Sequence, residues 1–226
     1  MIARDVLMDY AHFDQVIANL SEALNRDESV WNQTLFSSRI VSAMYSAGYP
    51  IEDLRPVLKR WLVAATQERF PPPRDVVFPL CFAVMMGADD QDVAALEVVL
   101  SKEPECGVFA GFLADALGIP HPPVVNSDPL WLFFPEVRDL EDTMAKASFL
   151  AAYLEDRWYD ANSEEDWWGL HERQGGLKYR GYWAWEIAAT ARVYGLDDTA
   201  LCSCRYYPVD LAHYLDAKKG ISEGGI

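Results

Sequence analysis

The chain is 226 residues long and 51% apolar, which is enough for one sizeable domain or two small ones with a real core, so a folded rather than a disordered chain is expected. Its 35 acidic and 19 basic residues leave a formal charge of −16. Such a surface repels nucleic acid, anionic membranes and phosphate-rich substrates, and its natural complement is a basic partner.

In chain order, "MIARDVLMDYAHF" sets Arg4 and Asp5 ahead of any apolar run, unlike a secretory signal, so a reducing cytoplasmic setting is expected. "FDQVIANLSEALNR" spaces Phe13, Val16, Ile17, Leu20 and Leu24 as one buried helical stripe. "TLFSSRIVSAMYSAG" and "IEDLRPVLKRWLVAATQERF" predict a helical hairpin: Gly48 stops the first helix, and Pro50 with Glu52 and Asp53 opens the second. Pro71, Pro72 and Pro73 then force an extended break.

"RDVVFPLCFAVMMG", "DQDVAALEVVLSK" and "GVFAGFLADALG" read as the next helices. The longest apolar run starts at Val76, is interrupted by Pro79 and stops before Asp89. That is well short of the roughly 20 residues of a membrane helix, so no membrane association is expected. A proline-rich connection, "IPHPPVVNSDP", leads to a long helix predicted over 137–161. "SEEDWWGLHER" opens on Ser163 with Asp166 three residues on, a capping pattern that predicts another helix. Gly175 and Gly176 in "RQGGLKYRG" lack phosphate-loop spacing and fit a plain turn. "GYWAWEIAATARVYGLDD" and "YPVDLAHYLDA" are the last two helices.

Strand-length alternation is almost absent, so the expected fold is all-α, an irregular array of stacked helical hairpins. The expected division is an N-terminal helical region at 1–73 and a C-terminal helical domain at 74–226, packed as one globular unit. A glycine stop followed by an acidic helix start recurs in "YSAGYPIEDL", "VMMGADDQDV" and "VYGLDDTAL", at intervals too irregular for a named repeat.

His12, His121, His171 and His213 form no H-x-x-x-H pattern, and Cys202 and Cys204 in "CSC" are one residue too close for C-x-x-C, so neither a metal nor a cofactor is expected. Glu186 sits in a helix that is apolar on all sides, and two readings are open. It is either a buried structural charge, with Lys178, Arg180 or Arg205 as candidate partners, or a general acid of a small hydrolase acting with His171 or Asp210. From Glu136 to Asp166 ten carboxylates face three cations, Arg138, Lys146 and Arg157. That run is either the solvated face of a helix or a docking surface, formed by Asp139, Glu141, Asp142, Glu155, Asp156, Asp160, Glu164, Glu165 and Asp166, with Trp167 and Trp168 as anchors.

The segment 179–214 carries "GYWAWE", an alanine-rich continuation, "YGLDD" and "YYPVDLAHY", and in these it resembles the C-terminal domain of the PoNi-type immunity proteins. Arg4, Asp5 and "YSAGYPIEDL" are similar, more loosely, to that family's N-terminal domain. The resemblance implies an all-α, non-catalytic cytoplasmic protein that binds and neutralises a cognate PoNe-type toxin. Such a toxin is a DNA-degrading nuclease delivered between competing bacteria by specialised secretion systems, type VI among them. It also implies scaffold roles for Trp183, Trp185, Glu186, Tyr207, Pro208 and Asp210. A helical scaffold protein with no toxin partner is the third reading.

Overall fold

The computed structural model describes residues 2–102, 105–125, 130–173 and 178–223, and Gly175 and Gly176 lie outside them. Among the described residues there are twelve α-helices and two strands of two residues each, so the fold is all-α. The chain divides into two compact units, Met1–Arg69 with Tyr159–Trp183, and Phe70–Trp158 with Ala184–Ile226. The sequence reading, in contrast, assigned 159–183 to the C-terminal part.

In the first unit, α1 (Tyr10–Arg26) starts where the Asp9 carboxylate accepts the His12 N–H at 2.9 Å. Of the predicted stripe, Phe13, Val16 and Leu24 are buried, worth about 6 kcal/mol together, and Ile17 and Leu20 are half-buried. Ser29 caps α2 (Val30–Ala47), which is stopped by Gly48 at φ 89° and followed directly by α3 (Ile51–Ala65) with Glu52 and Asp53 in its first turn. The predicted helix from Ser163 does not form. Turns run through 162–169, and only Leu170–Glu172 make a short 3-10 segment. Asp166, the residue expected at its third position, instead accepts from Arg39 at 2.7 Å and Arg180 at 3.4 Å. Its carboxylate is committed to tertiary contacts within the unit.

In the second unit, α4 (Pro73–Met86) begins on a proline at its first position, where the missing N–H has no intrahelical partner to lose, and runs on through Pro79. α5 (Asp90–Leu100) is opened by a capping box of Asp89 and Asp92. β1 (Cys106–Gly107) pairs in parallel with β2 (Val124–Val125), on either side of α6 (Val108–Leu117). The core is aromatic: the Phe109 ring lies 4.9 Å from Phe134 and 5.5 Å from both Trp131 and Phe133. No helix of the described residues is long and apolar enough to cross a membrane.

The single helix expected over 137–161 is three: α7 (Phe133–Arg138), α8 (Thr143–Asp156) and α9 (Trp158–Ala161). Two side chains cause the first break. Asp142 caps α8 by accepting the Ala145 N–H at 2.7 Å, and the Lys146 ammonium donates to the carbonyls of Val137, Arg138 and Leu140, closing the end of α7. Lys146 is therefore buried and lies 4.6 Å over the Tyr194 ring, rather than diluting the acidic surface. Lys146→Met is expected to leave those carbonyls poorly satisfied and to cost about 2 kcal/mol, seen as a lower denaturation midpoint.

α10 (Trp185–Tyr194) occupies the middle of this unit, against α4, α6 and α8. The four residues before it belong to no helix or strand, and the Ala184 N–H donates to the Tyr206 carbonyl at 3.0 Å. The predicted last helix is also divided, into α11 (Val209–Ala212) and α12 (Tyr214–Glu223), with His213 between them.

Candidate functional site

The carboxylates of the acidic run fall on both units. Asp139, Glu141, Asp142, Glu155 and Asp156 belong to the second, and Asp160, Glu164, Glu165 and Asp166 to the first. All are exposed except Glu165, which is half-buried. Several have intramolecular work. Asp139 pairs with Arg138 at 2.9 Å, Asp142 caps α8, Glu155 interacts with the Cys204 thiol, and Asp166 bridges Arg39 and Arg180. Among the described residues, Glu141, Asp156, Asp160 and Glu164 have no side-chain partner, so their charge is presented to solvent. The second unit is the more acidic, with 21 carboxylates against nine cations.

Trp167 and Trp168 are half-buried rather than free on the surface. Trp167 lies 5.2 Å from Tyr182, and Trp168 stacks on Tyr159 at 5.4 Å. His171 completes this aromatic group, with its Nδ1 2.8 Å from the Tyr182 hydroxyl. Burial pushes the Tyr182 hydroxyl well above its ordinary pKa, so it stays protonated and able to donate.

The motif residues at the two ends of the first unit's sequence meet in one buried cluster. Arg4 donates to the carbonyls of Tyr45 and Tyr49 at 2.9 and 2.8 Å while its guanidinium lies over the Tyr45 ring. Asp5 accepts the Tyr179 hydroxyl at 2.6 Å. The Ser46 hydroxyl accepts the Trp183 indole N–H at 2.7 Å and lies 2.8 Å from the Arg180 carbonyl. Gly181 sits between these groups at φ 96°. The Arg180 guanidinium is largely enclosed, and burial, with Arg39 close by, lowers its pKa to about 10.

Glu186 is 4% exposed in the second unit, where its carboxylate accepts the Trp158 indole N–H at 2.6 Å. The Thr190 hydroxyl donates to its main-chain carbonyl at 2.7 Å. Its charge reaches its neighbours: burial first and Glu186 second raise the Tyr153 hydroxyl to about 12, and both raise the Cys81 thiol. Of the hydrolase partners weighed for it, Asp210 is exposed in the first turn of α11 and His171 belongs to the other unit. Arg180, one of the expected cation partners, is paired with Asp166. Tyr207 and Pro208 are buried, and the Pro208 carbonyl accepts from Leu211 and Ala212 to open α11. Trp185 is buried against Phe82, 5.0 Å away.

One grouping had no signal in the sequence. Asp198, Cys202 and His213 each bring a metal-ligating atom within 4.8 Å of the others, at spacings that match no regular motif.

Residues 134–211 match the family model of the C-terminal part of the PoNe immunity proteins (PoNi). The match takes in 134–158 and 184–211 of the second unit and 159–183 of the first, and so contains the acidic run, both tryptophans, Glu186 and Tyr207. No curated protein and no solved structure matches the chain.

Proposed function

With a PoNi C-terminal domain at 134–211 as the premise, we propose that this chain is a cytoplasmic immunity protein that binds a cognate PoNe-type DNase and neutralises it stoichiometrically, without catalysis of its own. The family match is the observation that carries the reading. The charge supports it independently. A nuclease presents a basic groove to DNA, and solvent-facing carboxylates would speed its capture and fix its register. Glu141, Asp156, Asp160 and Glu164 are the residues we assign to that encounter, because no intramolecular partner among the described residues uses them. Half-buried Trp167 and Trp168, in the first unit with Asp160 and Glu164, would supply apolar area to that unit's share of the contact.

The direct test is co-expression with the product of the adjacent gene, followed by pull-down, size-exclusion chromatography and a plasmid-cleavage assay. A one-to-one complex with silenced cleavage is expected, and the absence of a complex would overturn the reading. The surface is tested separately by two charge-reversed pairs, Glu141→Lys with Asp156→Lys and Asp160→Lys with Glu164→Lys. Asp166 is left intact because it bridges two arginines. At least one pair is expected to slow association roughly tenfold and to flatten its salt dependence, with an unchanged melting temperature. Unchanged association in both pairs would remove the acidic surface from the interface while leaving the complex itself to the first experiment.

A further inference from the structure

We propose that Asp198, Cys202 and His213 form a zinc-binding site. The local chain builds the grouping from two short segments of the second unit. Asp197 accepts from both the N–H and the hydroxyl of Thr199, at 3.0 and 2.6 Å, which turns the chain just after α10. The Cys202 N–H then donates to the Asp198 carbonyl at 3.0 Å, at the 3-10 segment Leu201–Ser203, which sets the two side chains one turn apart. His213 comes from the junction of α11 and α12, with its Nε2 at 3.0 and 2.9 Å from the two carboxylate oxygens of Asp198.

The three ligating atoms lie within 4.8 Å of one another. A tetrahedral zinc with bonds of about 2.0–2.3 Å separates its ligands by roughly 3.5 Å, so small side-chain rotations complete the site. One nitrogen, one oxygen and one sulfur donor make a set of intermediate softness. It suits zinc and disfavours magnesium and calcium, which take oxygen ligands. The Tyr207 hydroxyl donates to Asp198 at 2.7 Å, as the outer partners of metal carboxylates do, and fixes the carboxylate's orientation. Three protein ligands leave a fourth position for water. Asp198 and His213 also line a pocket of about 400 Å³ with Arg192, Leu196 and Asp216, and His213 is 46% exposed, so an ion has a route from solvent.

The site also explains the tight cysteine pair. Cys204 is buried, with its sulfur directed to the carbonyls of Ala151 and Ala200, whereas Cys202 is only partly covered and faces Asp198. One thiol of "CSC" is packing and the other is a ligand. The inference stands apart from toxin binding and is tested on the full chain alone.

The purified, reduced chain is titrated with zinc against a chromophoric chelator, and with cobalt, whose thiolate charge-transfer absorption reports a sulfur ligand. One ion per chain and a cobalt–thiolate band are expected. Cys202→Ser is expected to abolish that band, and Cys202→Ser, His213→Gln and Asp198→Asn each to weaken zinc binding at least tenfold. Tyr207→Phe is expected to weaken it about tenfold, and Cys204→Ser to leave both readouts unchanged. No stoichiometric zinc, or equal binding by the parent, Cys202→Ser and His213→Gln, would overturn the site and leave an ordinary Asp–His ion pair.

Discussion

Gly181→Ala is expected to destabilise the first unit by about 3 kcal/mol, read as a drop of roughly 12–24 °C in its melting transition. Two effects add. At φ 96° a side chain is strained whatever the space, at about 1 kcal/mol. The new Cβ would also lie 1.9 Å from the Ser46 hydroxyl and 2.5 Å from the Trp183 indole nitrogen, two groups that hydrogen-bond each other. Relief requires that bond to open inside the cluster that also holds Tyr45 and the Arg180 carbonyl. Gly169→Ala is the control. Its φ of 68° brings the same kind of strain, but nothing lies within 4 Å of the added carbon, so about 1 kcal/mol is expected. Equal losses at the two positions would show that strain alone, and not the close approach to Ser46, makes Gly181 necessary.

That cluster gives the scaffold reading of the sequence motifs physical content. Arg4 and Asp5 are about 175 positions from Tyr179, Gly181 and Trp183, yet they join through the Asp5–Tyr179 hydrogen bond and through Ser46, whose carbonyl accepts the Arg4 and Asp5 N–H groups and whose hydroxyl meets the Arg180 carbonyl and the Trp183 indole. The motif therefore records how the returning segment 179–183 docks on the N-terminal helices of its own unit.

The all-α class was legible because helical stripes, glycine stops and acidic starts are local signals, and the Gly48 stop with the α3 start formed as read. The first break within 137–161 was not, because it depends on the Asp142 cap and on where the Lys146 ammonium points. By composition Lys146 is a surface cation in a charged helix; in the structure it is the acceptor-satisfying end of α7. Ser163 failed in the opposite way. Its capping pattern is real, but Asp166 is drawn off by Arg39, 127 residues earlier, and a long-range ion pair leaves no trace in local spacing. The Asp198–Cys202–His213 grouping escaped for the same reason, since His213 reaches it only through the fold of the segment after Cys204.

Glu186→Ala is expected to be the second severe substitution, costing about 4 kcal/mol in the second unit. The Trp158 indole N–H and the Glu186 carboxylate are both buried, and truncation removes the acceptor and leaves a cavity beside α8. Glu186→Gln keeps an acceptor oxygen of the same size for the indole, so a loss of only about 1–2 kcal/mol is expected. The pair of variants separates the two readings of this residue. A structural anchor makes alanine much worse than glutamine in stability, with no substrate turned over by the parent for glutamine to abolish. A general acid would do the reverse, because glutamine would fold as the parent does and yet lose function, having no proton to give. Measured together, the denaturation midpoints and a hydrolase substrate screen of the parent and Glu186→Gln decide between a carboxylate that holds Trp158 in place and one that reacts.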